Sequence, residues 1–214
     1  MTEEGFHFPA PTPSDLGDHE VRREGSALEG ARVALLVTGG IAAMKAPLLA
    51  RALRRQGAEV TAFATTEALR YVAREALEWS CTRPVIVELT ANAEHLSDAA
   101  PFDVYLTAPA TYSVIGKCAH GIADTPVTAT LASAIGRMER GSAAVLFAPT
   151  MHGSMHNSIL VANLQSLHAI GCTIVSPRDD GGKHNLPSEQ ALVEACAHAF
   201  HALRVPGRPR ARHS

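Results

Sequence analysis

Short apolar runs alternate with stretches of helical spacing along the chain. "ARVALLVT" (31–38) reads as a buried strand, and 41–56 follow with helical spacing and stop at Gly57. "AEVTAFAT" (58–65) is a second strand with β-branched residues, followed by a helix around 66–77. "FDVYLTAP" (102–109) and "SAAVLFAP" (142–149) are a third and a fourth, and "CTIVSP" (172–177) is a short fifth. Helix-competent stretches lie at 111–118, 125–137, 153–169 and 188–203. Strands alternating with helices predict right-handed βαβ units and a doubly wound parallel sheet, with ligands at the carboxyl ends of the strands.

The length of 214 residues suits one domain, placed at 29–204, with an N-terminal arm over 1–28 and a disordered basic tail over 205–214. The arm is polar and Pro-bearing, and is available to a neighbouring subunit. A net charge of -2 gives no electrostatic reason to bind nucleic acid. No apolar run reaches the ~20 residues that span a bilayer, and no signal peptide is legible, so a cytoplasmic protein is expected. The four cysteines are scattered and read as reduced thiols. Eleven histidines raise the question of a metal, but the spacing of His152, His156 and His184 matches no zinc pattern, and none is expected.

Four loops at strand ends carry the candidate chemistry. "VTGGIAAMK" (37–45) places Gly39 and Gly40 in a tight turn at a helix start, where free amides favour an anion. Thr65 or Thr66 caps the next helix and leaves a hydroxyl for a phosphate. Ala108, Pro109, Ala110 and Thr111 form a small surface that suits a flat ring. "APTMHGSM" (148–155) packs Met151, His152 and Met155 into a loop. His95, in a polar loop before the third strand, is a candidate general acid or base, as is His152.

Taken in order, these loops resemble the flavin-dependent cysteine decarboxylase superfamily, FMN proteins with a flavodoxin-like parallel sheet. The resemblance covers roughly 31–187. "VTGGIAAMK" is similar to the family's first phosphate loop, and "APATYSVIGKCAHGIAD" (108–124) to its A-P-x-[ST]-A-N-T-[IL]-A-K segment. His95 stands where the decarboxylases keep an active-site His, and "APTMHGSM" resembles P-A-M-N-x-x-M. The resemblance implies FMN held by Gly39, Gly40, Ile41, Ala42, Thr66, Ala108, Pro109, Ala110, Thr111, Lys117 and Met151. It implies a substrate near Met155, Arg178 and Lys183, and a homo-oligomer built on trimers.

Two departures steer the expected activity. His152 replaces the Asn that holds the substrate carboxylate in the decarboxylases. The stretch matching their Cys-bearing C-terminal flap, "VSPRDDGGKHNLPS" (175–188), has no Cys. Both features resemble the archaeal-type flavoproteins of the superfamily. The expected activity is therefore reduction of dihydromethanopterin, a pterin, to tetrahydromethanopterin, with electrons from NAD(P)H or another donor. The alternatives are an FMN-dependent decarboxylase of a cysteinyl substrate, similar to the phosphopantothenoylcysteine decarboxylases, and a non-catalytic flavin-binding subunit.

Overall fold

The computed structural model describes residues 8–96 and 100–204. The strands are β1 (Arg32–Val37), β2 (Glu59–Ala64), β3 (Val104–Ala110), β4 (Ala144–Pro149), β5 (Met151–His152), β6 (Thr173–Ile174), β7 (Arg178–Asp180) and β8 (Lys183–Asn185). The helices are α1 (Ala46–Arg55), α2 (Arg74–Cys81), α3 (Tyr112–Ala119), α4 (Pro126–Glu139), α5 (Ser158–Ala169) and α6 (Glu189–Arg204). Five parallel strands form the central sheet in the order β2-β1-β3-β4-β6.

β1 shows why its sequence is apolar without alternation. Val33, Leu35 and Val37 pack into one core layer with Leu49 and Leu53 of α1 and Phe200 of α6. Ala34 and Leu36 point into the other, with Ile115 of α3, Leu131 of α4 and Leu167 of α5. A strand covered on both faces is apolar at every position. The result is the expected flavodoxin-like, doubly wound α/β fold.

Three local expectations differ. The helix expected around 66–77 is a single 3₁₀ turn at Ala68–Arg70, a break, and then α2. The Thr65 hydroxyl accepts the Ala68 amide at 3.2 Å, which closes one turn, and Val72 then buries its side chain in the core. The helix expected over 153–169 also divides. Gly153–Met155 form a 3₁₀ turn, and Asn157 starts α5 by accepting the Leu160 amide at 3.0 Å. The segment 178–185, with no expected structure, is a β-hairpin. Its loop is Gly181-Gly182, both with positive φ (58° and 70°), the conformation a two-residue hairpin turn requires.

The end of the arm lies on its own domain: Leu28 is fully buried, and its amide donates to the Gln56 carbonyl at 2.8 Å. The basic tail, 205–214, falls outside the described residues.

Candidate functional site

β2 pairs on one side of β1 and β3 on the other, so the chain reverses its direction of winding between β1 and β3. Loops leaving two such strands diverge and open a crevice at their carboxyl ends. The loop after β1 sits in that crevice with no spare room. A Cβ added to Gly39 would overlap the Cβ of Glu67 in the loop after β2. One added to Gly40 would come 3.3 Å from Thr111 Cγ2 and 4.0 Å from Pro109 Cγ. Gly40 leads into a 3₁₀ turn, Ile41–Lys45, that continues as α1. The first amides of such a start have no intrahelical acceptor.

The end of β3 is tied across the crevice to β1. The hydroxyl of Thr38, 2% exposed, donates to the Pro109 carbonyl at 2.6 Å and accepts the Thr111 amide at 3.3 Å. The Ala108–Pro109 peptide is cis. Ala42, Ala108, Pro109 and Ala110 are all buried and small.

A lid follows β4. The Thr150 amide donates to the Ala110 carbonyl at 3.1 Å, and the Tyr112 hydroxyl reaches Asn157 Oδ1 at 3.3 Å. Both ends of the segment are thus fastened to the β3–α3 turn. Its middle is β5, which pairs antiparallel with β8 of the hairpin, Met151 opposite His184 and His152 opposite Lys183. The Gly153 amide donates to the Gly182 carbonyl at 3.0 Å, at an approach only glycine permits. The lid and the hairpin form one three-stranded sheet, β5-β8-β7.

Gly39, Gly40 and Thr66 lie on the loops after β1 and β2, Ile41 and Ala42 open the 3₁₀ turn that follows β1, Ala108, Pro109 and Ala110 are the last three residues of β3, and Thr111 comes directly after them. Thr65 does the capping, which leaves Thr66 exposed. Met151 is buried beneath the lid and Met155 is exposed on it. Arg178 and Lys183 are exposed on the hairpin. Lys117, on α3, makes an ion pair with Asp124 at 2.7 Å. His95 is half-buried; its Nδ1 is buried and has no hydrogen-bond partner among the described residues. Thr38, Tyr112 and Asn157 escaped the sequence reading, because each acts through a contact with a distant segment.

The hydrogen bonds of His152 fix its ring. The Ser154 amide donates to Nδ1 at 3.2 Å, and the Ser154 hydroxyl lies 2.8 Å from the same atom. An amide only donates, so Nδ1 is the acceptor, and neutral His152 carries its proton on Nε2. Burial, by contrast, silences the thiols. It pushes Cys81, Cys118, Cys172 and Cys196 each up to about 12. Among the described residues no three His, Cys, Asp or Glu side chains converge in a metal-binding group.

The Flavoprotein family model matches residues 21–201. The chain belongs to the Flavoprotein family. It is 32% identical over 186 residues to the coenzyme A biosynthesis bifunctional protein CoaBC of Thermococcus kodakarensis, covering 85% of this chain and 45% of that protein. It is 34% identical over 170 residues to the CoaBC protein of Methanocaldococcus jannaschii, covering 78% and 40%. The chain thus spans less than half the length of these relatives. Among solved structures, the FMN-dependent cysteine decarboxylase SpaF superposes with a TM-score of 0.71 at 24% identity, over 83% of this chain and 99% of SpaF. A PPC decarboxylase mutant complexed with pantothenoylaminoethenethiol gives 0.70 at 20% identity, over 80% and 98%.

The expected flavin agrees with the family, and the expected FMN with the FMN-dependent enzymes among its neighbours. The expected dihydromethanopterin reduction is overturned. The curated relatives are coenzyme A biosynthesis proteins, and neither a pterin nor NAD(P)H finds support among them. The expectation rested in part on His152 standing in place of the Asn, and the ring at that position is held with its proton on Nε2. As for the expected cytoplasmic setting, no helix among the described residues is long and apolar enough to cross a membrane.

Proposed function

We propose that the chain binds FMN in the crevice between β1 and β3 and decarboxylates a cysteinyl precursor of coenzyme A, 4′-phosphopantothenoylcysteine. The observation that carries the reading is the tautomer of His152, an Nε2–H donor on the lid beside a crevice shaped for a flavin. The CoaBC relatives favour a coenzyme A precursor over other cysteinyl compounds.

The residues present fit FMN. Gly39 and Gly40 form a cradle that a Cβ would fill, and the amides of Ile41 and Ala42 open the helix beside it. There the backbone and the Thr66 hydroxyl hold the phosphate. Ala108, Pro109, Ala110 and Thr111 make a flat, small-residue wall for the ring, and Met151 and Met155 close over it from the lid. Lys117, expected among the FMN contacts, is bound to Asp124, and we assign it to holding the α3–α4 turn. FMN supplies, when bound, the two-electron acceptance that loosens the carboxylate of a cysteinyl group.

The chain's own task is to orient the substrate and handle protons. His152 donates from Nε2 to the substrate carboxylate, the place of the Asn carboxamide. His95, with its unpartnered Nδ1, exchanges a proton with the reacting group. Arg178 and Lys183 hold the substrate's phosphate. The working assembly is a homo-oligomer, a trimer or a multiple of it, with Ile41, Met44 and Leu48 forming an exposed apolar stripe beside the crevice for a second copy.

The test is direct. Purified protein is titrated with FMN, then incubated with 4′-phosphopantothenoylcysteine while carbon dioxide release and substrate mass are followed. Flavin uptake with carbon dioxide release supports the reading. Flavin uptake with an intact substrate sinks it.

A further inference from the structure

A second histidine of the lid, His156, is held as an acceptor where His152 is a donor, through partners on both strands of the hairpin. His184 of β8 lies with Nδ1 2.6 Å from Asp179 Oδ1 of β7, its register partner across the hairpin. A carboxylate only accepts, so Nδ1 carries a proton towards it. While His184 is neutral, its Nε2 is therefore a lone pair. That atom lies 2.9 Å from Nδ1 of His156, so His156 must donate from Nδ1. Nε2 of His156 is left with a lone pair.

The arrangement is a relay with a free end. A proton accepted at His156 Nε2 lets the Nδ1 proton pass to His184, and the positive charge comes to rest beside Asp179. The charged neighbours on the same small sheet are Lys183, opposite Asp180, and Arg178, opposite Asn185. Position links the relay to the crevice. Asn157, next along from His156, is held by the Tyr112 hydroxyl, and Tyr112 adjoins Thr111. His152 and His156 stand four residues apart on one lid, one ring a donor and the other an acceptor.

We propose that His156 is the catalytic base that takes the thiol proton of the cysteinyl substrate, with His184 and Asp179 as positioning residues; the substrate part rests on the decarboxylase reading. In this step the S–H bond breaks, an N–H bond forms at His156 Nε2, and the electron pair stays on sulfur as the thiolate. No redox change accompanies the transfer.

Two measurements test it on the full chain. Long-range ¹H–¹⁵N NMR of histidine-labelled protein, at an alkaline pH where the rings are neutral, should find His156 and His184 protonated at Nδ1 and His152 at Nε2. Asp179→Asn should release His184, and with it His156, from the Nδ1–H form. In the FMN-loaded protein, His156→Asn should lower kcat for carbon dioxide release from 4′-phosphopantothenoylcysteine by ~10²–10⁴-fold, the usual worth of a general base, with KM and flavin content kept. An Nε2–H His156 in the wild type overturns the proposal, and so does a His156→Asn variant with wild-type kcat. If the wild-type protein releases no carbon dioxide, the decarboxylase reading fails and the base has no substrate; the NMR result then still decides whether the relay exists.

Discussion

The Thr38 hydroxyl donates to the Pro109 carbonyl across 2.6 Å, and this bond joins the two strands between which the crevice opens. Both residues are buried. Removing the hydroxyl leaves the carbonyl without its donor, a loss typically worth ~1–3 kcal/mol. The same hydroxyl accepts the Thr111 amide, so the loss also loosens the start of α3. Thr38→Val should lower both thermal stability and FMN affinity, and Thr38→Ser should restore both. Calorimetry and flavin titration read the two effects. An unchanged FMN affinity in Thr38→Val would show that the wall of the crevice is set elsewhere.

The cysteines should be silent towards thiol reagents in the native protein. Each is pushed up to about 12 by burial. At pH 8 the thiolate is then about one part in 10⁴, and the thiolate is the reactive species. Titration with a disulfide reagent should register all four only after denaturation. Rapid reaction of one thiol in the folded protein would mark a segment that opens, with Cys118, the most accessible of the four, as the first suspect.

Lys117 and Asp124 test the division of labour between cofactor and scaffold. The Lys117 ammonium, with smaller help from the Asp124 backbone amide and then the Thr128 hydroxyl, holds the exposed Asp124 carboxyl below the usual range. A lowered folded-state value means the pair's contribution is present above the unfolded value and is lost as pH falls through the folded one. Lys117→Met should therefore raise the midpoint of the Asp124 carboxyl resonance and leave FMN affinity unchanged. A weakened flavin would show that Lys117 leaves Asp124 for the cofactor.

The central sheet was legible because a strand buried on both faces is apolar almost throughout, as β1, β3 and β4 are apart from Arg32 at one end and the buried Thr107. The crevice was legible because Gly39, Gly40 and the small residues 108–111 advertise close approach in the sequence itself. The lid was half legible. Met151 and His152 stood out by composition, but their pairing with His184 and Lys183 of the hairpin did not. "DDGGKH" does carry a hairpin turn in its paired glycines, yet strands of three residues, Arg178–Asp180 and Lys183–Asn185, give no period to read. The tautomer of His152 was not legible for a different reason. A ring's tautomer depends on which backbone amide reaches which nitrogen, and spacing alone carries no trace of that. The relay through Asp179, His184 and His156 joins residues up to 28 positions apart and had no local signal at all.

Gly153 decides whether the lid can lie on the hairpin. Its amide donates to the Gly182 carbonyl at 3.0 Å, and a Cβ at this position would overlap that same carbonyl oxygen. The obstacle is backbone in a tight turn, not the end of a flexible side chain, so it cannot swing aside. Crowding of this kind costs ~1–3 kcal/mol, and the least costly relief is to part β5 from β8. The core layers do not include this contact, so the damage should stay local. Gly153→Ala should keep its melting temperature within a few degrees while the amides of 151–156 and 183–185 exchange faster with deuterium. Because β8 also carries His184, the same substitution should lower turnover without removing FMN, whose phosphate cradle lies at Gly39 and Gly40. Wild-type exchange rates in both segments would mean that the lid and hairpin do not form one sheet in solution.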